Sequence, residues 1–222
     1  MQKRFIIIDG MPGSGKTTTA MRITEKLTAL GLSARCFLEQ EEAHPLMITD
    51  VEFGDLSSEE AAERYSELFT ACYRAFVEQQ LCSPHDIVII ESVMFQDTIN
   101  VAHLMGMPPD RLLRLFRTLQ QTVMPLNPAL IYYYHVDVEG QWRHICGIRG
   151  NEWGPVSLHA DEDFKQAGDV WERSQTFVRA AVDDWEIPKL IIENRDYLWA
   201  DYDSRIDAFV EYVLKEDGAI LG

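Results

Sequence analysis

Between residues 5 and 17 the chain passes from the apolar run Phe5-Ile6-Ile7-Ile8 into the glycine-spaced stretch Gly10-Met11-Pro12-Gly13-Ser14-Gly15-Lys16-Thr17. Few folds accommodate such a passage. A short, wholly apolar run suits a strand buried on both faces, and the glycines after it let the backbone curl with its N–H groups pointing inward. The residues fit GxxxxGK[ST], in which loop amides and the lysine wrap a triphosphate and the hydroxyl ligates Mg²⁺. From Thr17 to Leu30, Ala20, Ile23, Leu27 and Leu30 recur at helical spacing, so the loop opens a helix whose dipole adds positive potential at the phosphates. Strand, loop and helix together predict a phosphate-binding P-loop. Its expected contacts are Gly10, Pro12, Gly13, Ser14, Gly15, Lys16, Thr17 and Thr18, with Thr17 on the metal.

The rest of the chain repeats an alternation of strand and helix. After Gly31, Ser33 to Leu38 reads as a second strand, and Ser57 with Glu60 offers a capping box for a helix carrying Tyr65, Phe69 and Phe76 on one face. Ile87-Val88-Ile89-Ile90, ended by Glu91, makes a third buried strand. A helical stretch from Phe95 to Met105 leads to a proline-initiated helix after Pro108-Pro109. Ala129 to Val136 is the fourth strand, a long helix begins near Asp161, Pro188 to Glu193 is the fifth strand, and Ile206 to Leu214 belong to a closing helix. Such an order implies an α/β chain, a three-layer P-loop NTPase fold with a five-stranded parallel sheet flanked by helices. With 222 residues and no repeat or linker, the expected unit is one domain, residues 1–222, with a polar, glycine-bearing lid at about 139–156.

Several side chains outside the loop carry chemistry in this arrangement. Glu91, a carboxylate at the end of a buried strand, is the expected second metal anchor. Glu39 closes the second strand on the same side of the sheet and is placed to accept an alcohol's proton or to hold a substrate hydroxyl. Arg149 and Arg143, among the lid glycines, are expected to balance charge on a transferring phosphoryl group. His44, Phe95, Gln96 and Asp97 are candidates for an acceptor pocket, Phe95 by stacking a ring and Gln96 by pairing with an amide edge. Tyr132 to Tyr134, Trp171 and Trp185 read as packing. Neither the six histidines nor the four cysteines show metal-ligand spacing.

A formal net charge of −16 argues against nucleic acid polymers and anionic membranes as partners, because both demand a basic face. The expected partner is a small-molecule substrate, with a homodimer as an option. No basic, apolar and small-residue cleavage pattern follows Met1, which points to the cytoplasm.

Three segments resemble the thymidylate kinase and deoxynucleoside kinase branch of the P-loop kinases. Phe5 to Thr19 (FIIIDGMPGSGKTTT) looks like that family's P-loop, Asp86 to Ser92 (DIVIIES) its third-strand motif, and Tyr132 to Gly150 its fourth strand and lid helix. The resemblance implies Mg²⁺ and ATP, transfer of the γ-phosphoryl group to a nucleoside or nucleotide, and Glu39 as the base. Where the family carries an arginine after the strand-three acid, this chain has Ser92. The second-strand loop, Glu39 to Pro45, has no basic residue, which favours a neutral hydroxyl acceptor over a phosphorylated one. Two other readings stay open. One keeps the machinery for a different metabolite or antibiotic hydroxyl, the acidic Glu39 to Glu42 suiting a cationic acceptor; the other is a nucleotide-binding switch or sensor, which Asn194-Arg195-Asp196 fits poorly as a guanine-reading NKxD element.

Overall fold

The computed structural model describes residues 3–154 and 156–216, so Met1 and the Pro155 of the expected lid lie outside the described residues. The chain begins with β1 (Arg4–Gly10) and α1 (Lys16–Ala29), then β2 (Ala34–Phe37), α2 (Glu59–Cys82) and β3 (Ile87–Glu91). A π-helical segment, Val93–Asn100, runs into the single turn α3 (Val101–Leu104), followed by α4 (Pro109–Val123) and β4 (Pro128–His135). Next come α5 (Val138–Arg149), the short strands β5 (Glu152–Trp153) and β6 (Val156–Ser157), α6 (Asp161–Asp183), β7 (Lys189–Asn194) and α7 (Trp199–Glu216). Five strands form one parallel sheet in the order β2-β3-β1-β4-β7. β5 and β6 pair antiparallel as a separate hairpin, Trp153 opposite Val156.

The layers follow from strand periodicity. Successive side chains of a strand point to opposite faces. On β1, Phe5 and Ile7 enter the core beneath α2, α4 and α6, while Ile6 and Ile8 enter the one beneath α1 and α7. Val88 and Ile90 of β3 repeat the division against Ile87 and Ile89, and Leu130 and Tyr132 of β4 repeat it against Ala129, Ile131 and Tyr133. Both faces are therefore covered, and the sheet's central strands read as continuous apolar runs. Among the described residues no helix is long and apolar enough to cross a membrane.

Two local expectations are corrected. The α2 cap is Ser58 rather than Ser57: its Oγ accepts from the Ala61 amide at 3.2 Å. Ser57 is taken instead by Asp55, whose carboxylate receives both its amide and its hydroxyl, at 3.0 and 2.6 Å. With the start displaced by one residue, Glu60 no longer stands at the third helical position, and the expected box does not form. The helix expected from Phe95 to Met105 begins earlier and as a π-helix. Its first turn is pinned by the buried Asp9 carboxylate, which accepts from the Phe95 and Gln96 amides at 2.7 and 3.2 Å. π-helical turns of this kind are rare and cluster at functional sites.

Candidate functional site

All five parallel strands end on the same edge of the sheet, and the glycine loop leaves β1 there. Gly13 has φ +71° and Gly15 φ +94°, both in the left-handed region. A Cβ at Gly13 would collide with the Ile145 side chain, and one at Gly15 would lie 2.9 Å from the Trp199 ring. The loop is thus both turned tightly and covered, and only glycine satisfies the two demands at once. Lys16 follows at 4% exposure, donating through Nζ to Met11 O at 2.8 Å and to Gln96 Oε1 at 2.9 Å. Burial pulls its ammonium below the usual lysine range, against the opposing fields of Asp9, Glu91, Glu39 and Asp97. The buried Ser14 hydroxyl has no partner among the described residues.

Glu91 terminates β3 at 3% exposure. Its Oε2 accepts from the Glu39 amide at 3.0 Å and its Oε1 from the Ser92 hydroxyl at 2.7 Å. The carboxylate is therefore oriented before any ligand arrives, and the chain after β2 is tied to the end of β3. Ser92 holds this position at φ +75°, a left-handed conformation unusual for a non-glycine residue. Where the resembled family has arginine, the serine here clips the Glu91 carboxylate.

These groups open on one cavity of about 1330 Å³ whose wall includes Lys16, Thr17, Glu39, Glu91, Asp97 and Arg149. Pro12, Gly13, Gly15 and Thr18 also reach it, whereas Gly10 and Ser14 do not. The set fits a magnesium-bound triphosphate: a hydroxyl and a carboxylate for the metal, a buried ammonium and left-handed glycines for the phosphates. No group of three or more His, Cys, Asp or Glu residues among the described ones is placed to enclose a metal alone.

Other sequence candidates fall elsewhere. Phe95 is 2% exposed, stacked on Phe116 at 5.3 Å between ring centroids and edge-on to Tyr132, so it fills the core instead of facing an acceptor. Its backbone, not its ring, is tied to the site, through Asp9. His44 is also buried, edge-on to Phe37, with Nδ1 accepting from the Leu46 amide at 3.2 Å; it organises its own loop and is not on the cavity wall. Arg143 bonds Glu139 and Asp161 and lies over the Phe164 ring, joining α5 to α6 outside the cavity. Its periodicity on α5, not its proximity in sequence to Arg149, decides this: residues six apart do not share a helical face. Gln96 reaches the cavity, but its side chain is spent between Lys16 and Asp97, donating to Asp97 Oδ1 at 3.2 Å. Trp171, read from sequence as packing, stands on the cavity wall against Trp142, while Trp185 is core.

Asp9, and Asn100 on the cavity wall, escaped the sequence reading. Asp9 is fully buried, and burial raises its carboxyl well above the usual range although the Phe95 amide, Lys16 and the Gly10 amide pull the other way. The available signal was its place between an apolar strand and the glycine loop, where a charged residue is expensive unless used. Asp97 was legible as a neighbour of the pocket, but not its titration. Burial, then the field of Glu39, pushes its carboxyl up to about 7.

No protein-family model matches the sequence, and no curated protein matches it. Among solved structures, the YorR protein of Bacillus subtilis, in complex with phosphorylated GDP, matches with a TM-score of 0.53 at 13% identity. The match covers 96% of this chain and 98% of that one. The likeness is one of fold, a P-loop NTPase-like α/β architecture.

Proposed function

We propose that this chain is a Mg²⁺·ATP-dependent phosphotransferase acting on a hydroxyl of a small molecule. The observation that carries the reading is the convergence of Lys16, Thr17, Glu91, Glu39 and Arg149 on one cavity. In this reading Lys16 and the loop amides hold the phosphates, and Thr17 with Glu91 holds Mg²⁺, which neutralises charge on the phosphate oxygens. Arg149, at the end of α5, faces the equatorial oxygens of the transferring group. Glu39 accepts the proton of the acceptor hydroxyl as its oxygen bonds to the γ-phosphorus and the bond to the departing ADP breaks. Positioning and charge do nearly all the work in such a transfer.

The nucleotide in the YorR complex supports nucleosides and nucleotides as the first acceptors to try. A second reading, another metabolite hydroxyl, is favoured by the burial of Phe95 and the engagement of Gln96, which remove the ring and amide expected to read a base. The test is ATP consumption against a metabolite panel by wild type, Lys16→Ala and Glu39→Gln. Lys16→Ala is expected to lose turnover by at least about 100-fold, in line with the loss of an electrostatic clamp. Turnover that survives Lys16→Ala would sink the phosphotransferase reading, and unchanged turnover in Glu39→Gln would remove only the base.

A further inference from the structure

At about 1330 Å³ the cavity has room beyond the phosphate end, since a site for one drug-sized ligand spans about 300–1,000 Å³. Two helices line it with apolar side chains. Val101 and Leu104, three residues apart on α3, are neighbours on one helical face, and Ala167, Val170 and Trp171 make a stripe on α6 by the same spacing; all five stand on the cavity wall. The two segments are joined beside them, Ser174 Oγ donating to Asn100 Oδ1 and the His103 ring stacking on Phe177 at 6.3 Å between centroids. The α3 face and the α6 stripe therefore border one space.

These side chains are open to a ligand. Leu104 is 49% exposed and Val101 37%, while Val170 and Trp171 are half-buried. Apolar residues scattered singly over an exterior need no explanation, but apolar surface gathered inside a cavity marks a binding groove. The charges beside it narrow the occupant. Apart from Lys16 of the glycine loop and Arg149, laid over the Trp153 ring at 5.2 Å, the charged side chains of the described wall are the carboxylates Glu39, Glu91, Asp97 and Asp163. A phosphorylated or carboxylated acceptor finds no counter-charge of its own against α3 or α6. A sugar or polyol loses water from several hydroxyls against these faces without replacement bonds. An apolar body incurs neither cost and gains with every Å² it withdraws from water.

We propose that the acceptor is an uncharged alcohol with an apolar body, laid against the α3 face and the α6 stripe with its hydroxyl turned towards Glu39. The proposal rests on the phosphotransferase reading for the hydroxyl's fate, but the docking itself requires no turnover. One polar atom and an apolar remainder match the wall: Glu39 takes the hydroxyl, and Val101, Leu104, Val170 and Trp171 take the rest. The faces lie in the same cavity as Lys16 and Thr17, which suits a small molecule that must meet the phosphates over a second protein surface.

Titration calorimetry on the full chain, with Mg²⁺ and a non-hydrolysable ATP analogue present, tests this. The apolar probes are 2-(naphthalen-2-yl)ethanol and 4-cyclohexylbutan-1-ol, and the polar ones thymidine and myo-inositol. At least one apolar alcohol is expected to bind about tenfold or more tightly than either polar probe, a difference of about 1.4 kcal/mol. Its binding enthalpy is expected to become more negative between about 15 and about 35 °C, the heat-capacity signature of apolar burial. Leu104→Lys, at an exposed position that the fold tolerates, is expected to weaken that alcohol at least about fivefold, and Val101→Asn serves as the second variant. Apolar alcohols that bind no better than the polar probes, an enthalpy that does not change with temperature, or affinities untouched by both variants would overturn the proposal. So would a wild-type dimer in sedimentation that Leu104→Lys dissociates, which would give the face to a second copy. Failure of the ATP analogue to bind wild type would instead count against the phosphotransferase reading, so the two failures are distinguishable.

Discussion

Asp97 brings a measurable consequence for stability. Its carboxyl titrates near 3.9 in an unfolded chain and at about 7 in the folded one. The folded state therefore binds the proton more tightly, and between those values rising pH removes stability. Asp97→Asn deletes the penalty, so the variant is expected to unfold at a higher temperature than wild type at pH 8. The gain is about 4 kcal/mol, worth roughly 8–16 °C in a chain of this size, and it shrinks towards zero near pH 4. Thermal unfolding followed by circular dichroism at the two pH values checks this, and a gain of equal size at both would show that titration is not its source. Phe95 makes the contrasting case. Because its ring stacks on Phe116 in the core, Phe95→Ala is expected to cost about 3–5 kcal/mol of stability. Chemical denaturation reads the loss directly, and a variant of wild-type stability with impaired acceptor binding would return the ring to the site.

At the level of elements, the glycine loop and α5 act as one piece. Gln141 Nε2 donates to Pro12 O at 3.2 Å, and Ile145 fills the space that a Cβ at Gly13 would need. Gly13→Ala is expected to destabilise the chain by about 2–3 kcal/mol from backbone strain and overpacking and to weaken ATP-analogue binding at least tenfold. Ile145 is itself buried, so Ile145→Ala costs stability alone, but in a double-mutant cycle it is expected to cost less beside Gly13→Ala, because it opens the space the new Cβ needs. Strictly additive costs would mean that the positive φ of Gly13 alone sets the penalty. The hairpin β5–β6 and Arg149 continue from α5 onto the cavity wall, so α5 joins the glycine loop to the opposite side of the cavity. Arg143 has a different task. Its bond to Asp161 and its place over the Phe164 ring hold α5 on α6 at an exposed position, while its bond to Glu139 lies within α5, and Arg143→Ala should cost no more than about 1 kcal/mol.

Across the whole molecule, the −16 net charge opposes the compact state through self-repulsion. Raising NaCl from about 20 to about 300 mM shortens the screening length from roughly 20 to roughly 6 Å and is expected to raise the unfolding temperature by a few degrees at pH 7.5. A scanning calorimetry series with no rise, or a fall, would show that the exposed pairs, such as Arg22 with Asp203 and Asp207, outweigh the repulsion.

The same scale shows what local sequence carries. Apolar runs, a glycine loop and helical periodicity are local, and they sufficed to determine five parallel strands between helices, with Glu39 and Glu91 where strands end on the P-loop side. Glu91 is placed by its own strand, whereas Glu39, two residues past β2, is also held by its amide bond to Glu91. Contacts made between distant segments were not legible. Ser57 matched a cap by spacing but was captured by Asp55. Phe95 stood in the right place for a pocket, yet a buried carboxylate 86 residues away in sequence pins its amide in a π-helix, and that winding turns the ring into the core. The tryptophan wall comes from α5, the β5–β6 hairpin and α6, which only packing assembles. Sequence by itself determined the glycine-loop end of the cavity, because such a loop is built from neighbours in the chain. Tertiary structure alone decided the opposite wall, because burial and the field of Glu39 act through space and leave no pattern along the chain.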